Sequence, residues 1–423
     1  KTPLSSRAEL GECVKAAKIS FQTWKKTPVV DRVQPLYRLK SLLEENSQEI
    51  SRILTIEHGK TLKEAQGDLL RGIQMVEVAC GMPSMMMGES LNQGAEGIDR
   101  HSHRRPMGVF AGINPFNFPA MVPFWFWPFA VACGNTYIMK PSERVPMTQE
   151  YIFNLINQCG FPPGVINMIQ GGKEVVNGML EHPDIAGVNF VGSTPVAKHV
   201  YEHGCKHHKR VQALGGAKNF LVLAGQANVE KSVRAMVDSC YGCAGERCLA
   251  GSILIGVGDN YEKLKEAVLK EANSVVVGDG LDPKTTMGPV ISLSAKERIL
   301  ADIEQGKKEG AQVIFDGSSM APEASEGFFV GPHVMDNIKP ETLLATKEIF
   351  GPVIGLMKVD HLSEAIDIIN SSNYANTCSI FTSDGGLVQQ FTEDVDPSMV
   401  GVNLGVPAPM AFFSFGGSKE SFF

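Results

Sequence analysis

Apolar positions in the first 87 residues recur at helical spacing, with charged residues on the faces between them. This pattern predicts helices over residues 7–26, 30–56 and 62–87. The third of these contains Asp68-Leu69-Leu70-Arg71-Gly72, which sets a guanidinium among apolar neighbours. An arginine so placed ordinarily lays its stem along the surface and keeps its head in water. Over residues 88–105 the pattern turns polar and glycine-rich, predicting a protruding hairpin arm. From Met107 onward short apolar runs alternate with helical ones. Strands are predicted at 109–113, 136–139, 165–169, 185–191 and 220–223, with helices at 120–133, 148–158, 174–181, 195–201 and 229–239. The second half repeats the theme, with strands at 252–257, 313–315, 353–359, 379–382 and 400–404 and helices at 261–272, 295–309 and 362–369. Strand and helix in alternation predict an α/β fold with parallel sheets. No short-period repeat or low-complexity linker interrupts it, and two α/β domains dividing around residues 214–250 is the natural partition.

Composition narrows this picture without changing it. A chain of 423 residues holds two or three domains, and 43% hydrophobic with 20% charged residues describes an ordinary globular protein. A net charge of −7 argues against nucleic acid or an anionic membrane as the main partner. Nine cysteines, an odd count without a tight framework, point to a reducing compartment. The apolar stretch 119–133 contains Pro119, Pro123 and Pro128 and falls short of the roughly 18 residues a membrane span needs, so it reads as a buried helix. Residue 1 is Lys, so a removed targeting peptide is not legible.

The chemistry concentrates at Tyr241-Gly242-Cys243-Ala244-Gly245-Glu246-Arg247-Cys248-Leu249-Ala250-Gly251. Small residues let the backbone turn tightly and a ligand approach Cys248. A thiol there could act as a nucleophile, with the adjacent Arg247 favouring the thiolate. Taken alone, Cys248 reads more readily as a small buried hydrophobe than as a nucleophile. Cys240, Cys243 and Cys248 lack a nearby fourth ligand for a structural zinc site.

Three further segments stand out. No G-x-G-x-x-G turn follows a strand, but Phe190-Val191-Gly192-Ser193-Thr194-Pro195 ends a strand at Gly192 and offers the first amides of a helix to a phosphate. In Ile113-Asn114-Pro115-Phe116-Asn117-Phe118-Pro119 two prolines fix the backbone around Asn117, whose amide can donate to a developing negative charge. Met139-Lys140-Pro141-Ser142-Glu143 places a cation and a carboxylate just beyond a strand, either as a surface ion pair or as a ligand for two ribose hydroxyls.

Taken together and in this order, with Glu348-Ile349-Phe350-Gly351-Pro352 as the last, these motifs resemble the aldehyde dehydrogenase superfamily over nearly the whole chain. The resemblance implies an NAD-binding domain from residues 1–88 and 107–214, an oligomerisation arm at 89–106 and a catalytic domain at 215–423. It implies that Cys248 attacks an aldehyde, with Asn117 and the Cys248 amide as the oxyanion hole. Lys140 and Glu143 would hold the adenosine ribose, Ser193 the pyrophosphate and Glu348 the nicotinamide ribose, with Phe350 near the ring. Ile113, Pro115, Phe116, Gly192 and Leu214 complete the implied cofactor contacts, and no metal is implied. The Glu143 carboxylate would repel a 2′-phosphate and so favour NAD over NADP.

The informative departure is Ala213-Leu214-Gly215-Gly216. Hydrolytic members of the family carry Glu at the position of Ala213 to activate water, and Ala cannot take a proton. Together with the segment around Arg71 and Gly216-Ala217-Lys218-Asn219, this resembles the CoA-acylating methylmalonate-semialdehyde dehydrogenases. That subfamily uses coenzyme A as co-substrate, and its residues matching Arg71 and Arg247 receive a substrate carboxylate. Glu246, where Gln is usual, and the pair Gly215-Gly216 depart from its pattern. The resemblance further implies a homodimer or homotetramer, in the mitochondrial matrix of a eukaryote or the cytoplasm of a bacterium. It also implies an N-terminal piece and a tail beyond Phe423 that this sequence does not include.

Overall fold

The computed structural model describes residues 2–322, 327–408 and 410–423. It resolves into two compact units. The first comprises Lys1–Glu57, Gln66–Gly192 and Val196–Ala213, and the second His58–Ala65, Ser193–Pro195 and Leu214–Phe423.

The first unit opens with the helix Arg7–Trp24. Ser6 caps it by accepting the Glu9 N–H at 3.3 Å, while the Glu9 carboxylate accepts the Ser6 N–H at 2.7 Å. Leu10, Val14, Ala17 and Trp24 form its buried stripe. The expected helix at 30–56 is three helices, Val29–Arg32, Gln34–Glu45 and Ser47–His58. Pro35 opens the second, and Asn46, at φ −100°, ends it. The predicted helix at 120–133 is likewise split, into Met121–Phe124 and Trp127–Ala132. Pro128 has no N–H for the Phe124 carbonyl, and its ring clashes with that carbonyl in a continuous helix.

Strands β1 (Ser90–Ala95) and β2 (Ile98–His101) form an antiparallel hairpin whose residues are all exposed. Next come β3 (Val109–Ile113), β4 (Thr136–Lys140), β5 (Ile166–Met168), β6 (Ile185–Val191) and β7 (Arg210–Leu214). They make one sheet in the order β5-β4-β3-β6-β7, with β4 and β6 both parallel to β3. The chain therefore runs outward from β3 through β4 and β5, then returns to the other side of β3 at β6. Loops leaving the carboxyl ends of β3 and β6 diverge there, and such a switch point opens a crevice for ligands.

The second unit is built on seven strands: β8 (Asn219–Leu223), β9 (Gly251–Val257), β10 (Gln312–Asp316), β11 (His333–Asp336), β12 (Val353–Val359), β14 (Thr377–Phe381) and β15 (Met399–Val402). Their order is β10-β11-β12-β9-β8-β14-β15, all parallel except for β10 against β11. A small antiparallel pair, β13 (Tyr374–Ala375) with β16 (Ser418–Lys419), stands apart. The core of this unit is continuous through Phe220–Ala224, Ile253–Ile255, the helix Val229–Tyr241 and the helix Leu293–Lys308. The helix pattern at 229–239 extends to Tyr241, which carries it into the Cys248 segment. Strands β7 and β11 were not visible in the sequence. The Arg210–Leu214 stretch begins with an exposed Arg, and the buried His333–Asp336 stretch is half polar, so neither shows alternation or an apolar run.

Among the described residues no helix is long and apolar enough to cross a membrane, and all nine cysteines are free thiols.

Glu57 illustrates how side chains join the elements of the first unit. Its carboxylate accepts the N–H groups of Met147 at 2.7 Å and Thr148 at 2.9 Å, closing the start of the helix Met147–Ile156. Burial pushes its pKa up, and those two hydrogen bonds pull it down. Glu57→Ala should lower stability by about 1–2 kcal/mol, and Glu57→Gln, which keeps an acceptor without the charge, by clearly less. Equal losses for the two variants in urea unfolding would remove the capping role.

Candidate active site

In the first unit the predicted residues gather at the carboxyl ends of neighbouring strands. Ile113 ends β3 and Lys140 ends β4, and the Asn114 N–H donates to the Lys140 carbonyl at 3.0 Å, tying the loop 114–117 to the edge of the sheet. Asn117 is buried on that loop. Lys140 is buried as well, and its ammonium donates to the carbonyls of Pro141 and Gly171, both at 2.8 Å, and to Glu143 Oε2 at 3.2 Å. Burial pulls the Lys140 pKa down, with Glu143 opposing. Burial works against the Glu143 charge, but its own backbone N–H, Lys140 and Arg144 hold it below the usual carboxylate range. This carboxylate is half exposed, so it stays ionised and open to hydroxyl donors. The Arg144 guanidinium lies 5.7 Å above the Phe116 ring. Gly192 follows β6 in the same sheet. Asp68 accepts the Met121 N–H at 2.7 Å, while Arg71, one turn along its helix, is half-buried and donates to Gln74 Oε1 at 3.0 Å.

In the second unit the helix Val229–Tyr241 runs into a tight turn in which Cys243, Ala244 and Gly245 all have left-handed backbones, with φ of 51°, 53° and 76°. A Cβ on Gly245 would overlap the Gly351 carbonyl, so this position needs glycine for both space and conformation. Cys248 follows three residues later, just before β9.

Several remote side chains hold the turn. Glu64 is the third residue of the helix Leu62–Cys80, and its carboxylate accepts the N–H and hydroxyl of Thr61, both at 2.9 Å, as in a capping box. The same carboxylate accepts the Cys243 N–H at 2.6 Å and Arg247 Nη2 at 3.0 Å. Arg247 also donates from Nε to Cys243 Sγ at 3.3 Å and from Nη1 to the Asp238 carbonyl at 3.4 Å. The guanidinium expected to serve Cys248 thus already has Glu64 as counter-ion and Cys243 as neighbour. Burial raises the Cys243 pKa against the pull of Arg247, so this thiol stays protonated. Glu246 is fully buried and accepts the Ile291 N–H at 3.2 Å. Among the described residues no group of three side chains could hold a metal ion.

Glu348 and Phe350 lie on the loop before β12. Glu348 Oε1 accepts the Ala217 N–H at 3.0 Å, and its Oε2 stands 2.5 Å from where a Cβ on Gly216 would lie. Burial pushes the Glu348 carboxyl up to about 7, with the Ala217 N–H, Lys218 and Arg298 pulling it down. Burial pulls Lys218 down to about 8, with Glu348 opposing. The loop is anchored on both sides of Glu348. Lys347 donates to Asp302 at 2.6 Å, and Arg298 donates to the Ile349 carbonyl at 2.5 Å. Ser193 immediately precedes the helix Thr194–Lys206. The Gly216 N–H donates to Thr194 Oγ1 at 2.9 Å, and Leu214 bridges Phe422.

One pocket in this unit is lined by Arg247, Cys248, Glu348 and Phe350, together with Ala217, Asn219 and Gly245. A thiol, a guanidinium and a buried carboxyl around one cavity suit covalent chemistry on a small polar substrate. Sequence reasoning missed Glu64, although its T-x-x-E capping signature was legible. It also missed Asn376, which carries no local signal, and gave Asn219 no role of its own although Asn219 closes the segment Gly216-Ala217-Lys218-Asn219.

The chain matches the aldehyde dehydrogenase family over residues 1–423. It is 46% identical over 421 residues to malonate-semialdehyde dehydrogenase 2 of Geobacillus kaustophilus, covering 100% of this chain and 87% of that protein. The crystal structure of a methylmalonate-semialdehyde dehydrogenase from Oceanimonas doudoroffii superposes with a TM-score of 0.97 at 39% identity, covering 99% of this chain and 86% of that one. An aldehyde dehydrogenase of Bacillus cereus in complex with NAD superposes with a TM-score of 0.95 at 29% identity, over 99% of this chain and 85% of that one. The shared fold and full-length similarity leave one assignment: the chain belongs to the aldehyde dehydrogenase family.

Proposed function

We propose that this chain is an NAD-dependent, CoA-acylating oxidoreductase. It would convert methylmalonate or malonate semialdehyde to propionyl-CoA or acetyl-CoA with release of carbon dioxide. The observation that carries this reading is the pocket that lines Cys248 with Arg247 and Glu348. The semialdehydes named in its relatives support the substrate class.

Cys248 Sγ adds to the aldehyde carbon, forming a C–S bond as the carbonyl electrons move onto oxygen. The Cys248 backbone N–H and the Asn117 amide donate to that oxygen, and removing one such donor costs about 10²–10³ in rate. Bound NAD would supply the acceptor for the hydride that leaves this carbon, and a thioester would remain on Cys248. The bond between the substrate carboxylate and its α-carbon then breaks, carbon dioxide departs, and the α-carbon takes up a proton. The CoA thiolate attacks the thioester and Cys248 leaves as the thiolate.

The cofactor residues suit their assignment. Lys140 is fixed by two carbonyls, and the ionised, half-exposed Glu143 can accept from ribose hydroxyls. Ile113, Pro115, Phe116, Gly192, Ser193 and Leu214 would complete the contacts to NAD. Glu348 would accept from the second ribose, and Phe350 would pack near the nicotinamide.

The arm supports a homodimer or homotetramer. An isolated two-stranded hairpin exposed on every residue, including Leu91 and Ile98, is marginal without something to cover it. Sedimentation equilibrium should give two or four chains per particle, and deleting residues 90–101 should lower that number; a parental monomer at micromolar concentration removes the proposal.

Arg71 and Arg247 are proposed to receive the substrate carboxylate. Changing Arg71 to Leu should lower kcat/KM for a semialdehyde acid by roughly 10- to 100-fold relative to propanal, as expected for one charge-assisted hydrogen bond. Arg247→Leu should show the same selectivity with an added loss for both aldehydes, because Glu64 and Cys243 lose their partner. Equal losses for both substrates in Arg71→Leu would make that arginine structural.

The CoA step depends on Ala213, which offers no base to activate water. CoA brings a thiol that is a few per cent ionised near neutral pH and needs less help. Without CoA the enzyme should release a burst of about one NADH per active site, then turn over slowly. Adding CoA should restore sustained turnover, and mass spectrometry should find an acyl-CoA one carbon shorter than the substrate acid. Rapid CoA-independent release of a free acid would instead identify a hydrolytic aldehyde dehydrogenase.

A further inference from the structure

Behind the nucleophile lie two buried side-chain amides to which the reaction assigns no role. Asn219 Nδ2 donates to the Cys248 carbonyl at 2.8 Å and to the Ala250 carbonyl at 2.9 Å. Asn376 Nδ2 donates to the same Cys248 carbonyl at 3.3 Å.

The two differ in what else they do. Asn219 opens β8, and its Oδ1 accepts the Thr377 N–H at 3.4 Å, so it also joins β8 to β14. Asn376 stands just before β14, 4% exposed, and its Oδ1 is enclosed without a hydrogen-bond partner. A buried acceptor without a donor is a cost to the folded state. An apolar residue of similar size would avoid that cost, so fold stability does not explain an amide here. What the amide provides is its donor to Cys248.

A carbonyl oxygen has two lone pairs, and Asn219 and Asn376 supply two donors to it. Together they fix the plane of the Cys248–Leu249 peptide and hence the rotation about the Cα–C bond of Cys248. The loop needs such a constraint, because it starts from three consecutive left-handed residues that would relax if released.

We infer that Asn376 is a positioning residue for the nucleophile: its amide, with that of Asn219, locks the Cys248 carbonyl so that Sγ meets the aldehyde in one orientation. The inference rests on the proposed reading of Cys248 as the nucleophile.

The test uses Asn376→Leu, Asn376→Gln and Cys248→Ala in the full chain, followed by stopped-flow NADH formation, NAD binding and thermal melting. Asn376→Leu should melt within a few degrees of the parent or above it and bind NAD equally well. Its NADH burst should be slower by on the order of 10- to 100-fold, as for a misplaced reacting group, with little change in KM for the aldehyde. Asn376→Gln, which keeps an amide donor, should recover part of the rate. A parental burst rate in Asn376→Leu, a large fall in its melting temperature, or no recovery in Asn376→Gln would each overturn the positioning role. The control separates the two readings. NADH formation by Cys248→Ala would overturn the assignment of the nucleophile itself. An inactive Cys248→Ala beside a fully active Asn376→Leu would leave that assignment standing and remove only Asn376.

Discussion

The second unit turns on a backbone that does not favour its own conformation. Cys243, Ala244 and Gly245 are left-handed in succession, and for the two residues with a Cβ this costs on the order of 1–2 kcal/mol each. Such a turn persists only if its surroundings over-determine it. The carboxylate of Glu64 is the central restraint. It comes from a segment distant in sequence, is fixed by its own helix cap, and takes both the Cys243 N–H and the Arg247 guanidinium. The close approach of Gly245 to the Gly351 carbonyl then ties the turn before Cys248 to the loop that carries Glu348 and Phe350. Placing Cys248 and placing Glu348 are therefore one structural problem.

That dependence explains what the sequence could and could not show. Alternating strands and helices revealed an α/β fold with parallel sheets, because apolar periodicity is a local property. The expected helices at 30–56 and 120–133 break at prolines and, in the first, also at Asn46, where the apolar spacing continues across the break. Strands β7 and β11 escaped because their places in the sheets come from neighbours, not from their own polar sequences. The pocket residues Cys248, Arg247, Glu348 and Phe350 were legible as motifs. The direction of Arg247 was not, because only the fold brings Glu64 and Cys243 to it. Asn376 was silent for the same reason, and the bond made by Asn219 was not legible in its motif: a side-chain amide reaching a backbone carbonyl leaves no periodicity.

Glu348 and Lys218 show the electrostatic side of this arrangement. Burial drives both toward neutrality, raising the acid to about 7 and lowering the amine to about 8, while each favours charge on the other. For Glu348, whose folded value lies above the ordinary 4.5, the stabilising contribution of the neutral form is full below that value and is lost as pH rises toward 7. For Lys218, lowered from 10.5, the contribution is full above that value and is lost as pH falls toward 8. Near neutral pH the folded chain carries part of both burial costs at once. Two apolar residues would avoid those costs, so fold stability alone does not account for the pair. Beside the pocket lined by Cys248, the Glu348 carboxyl can accept from a hydroxyl when ionised and donate to one when neutral, and Lys218 biases it toward the ionised form.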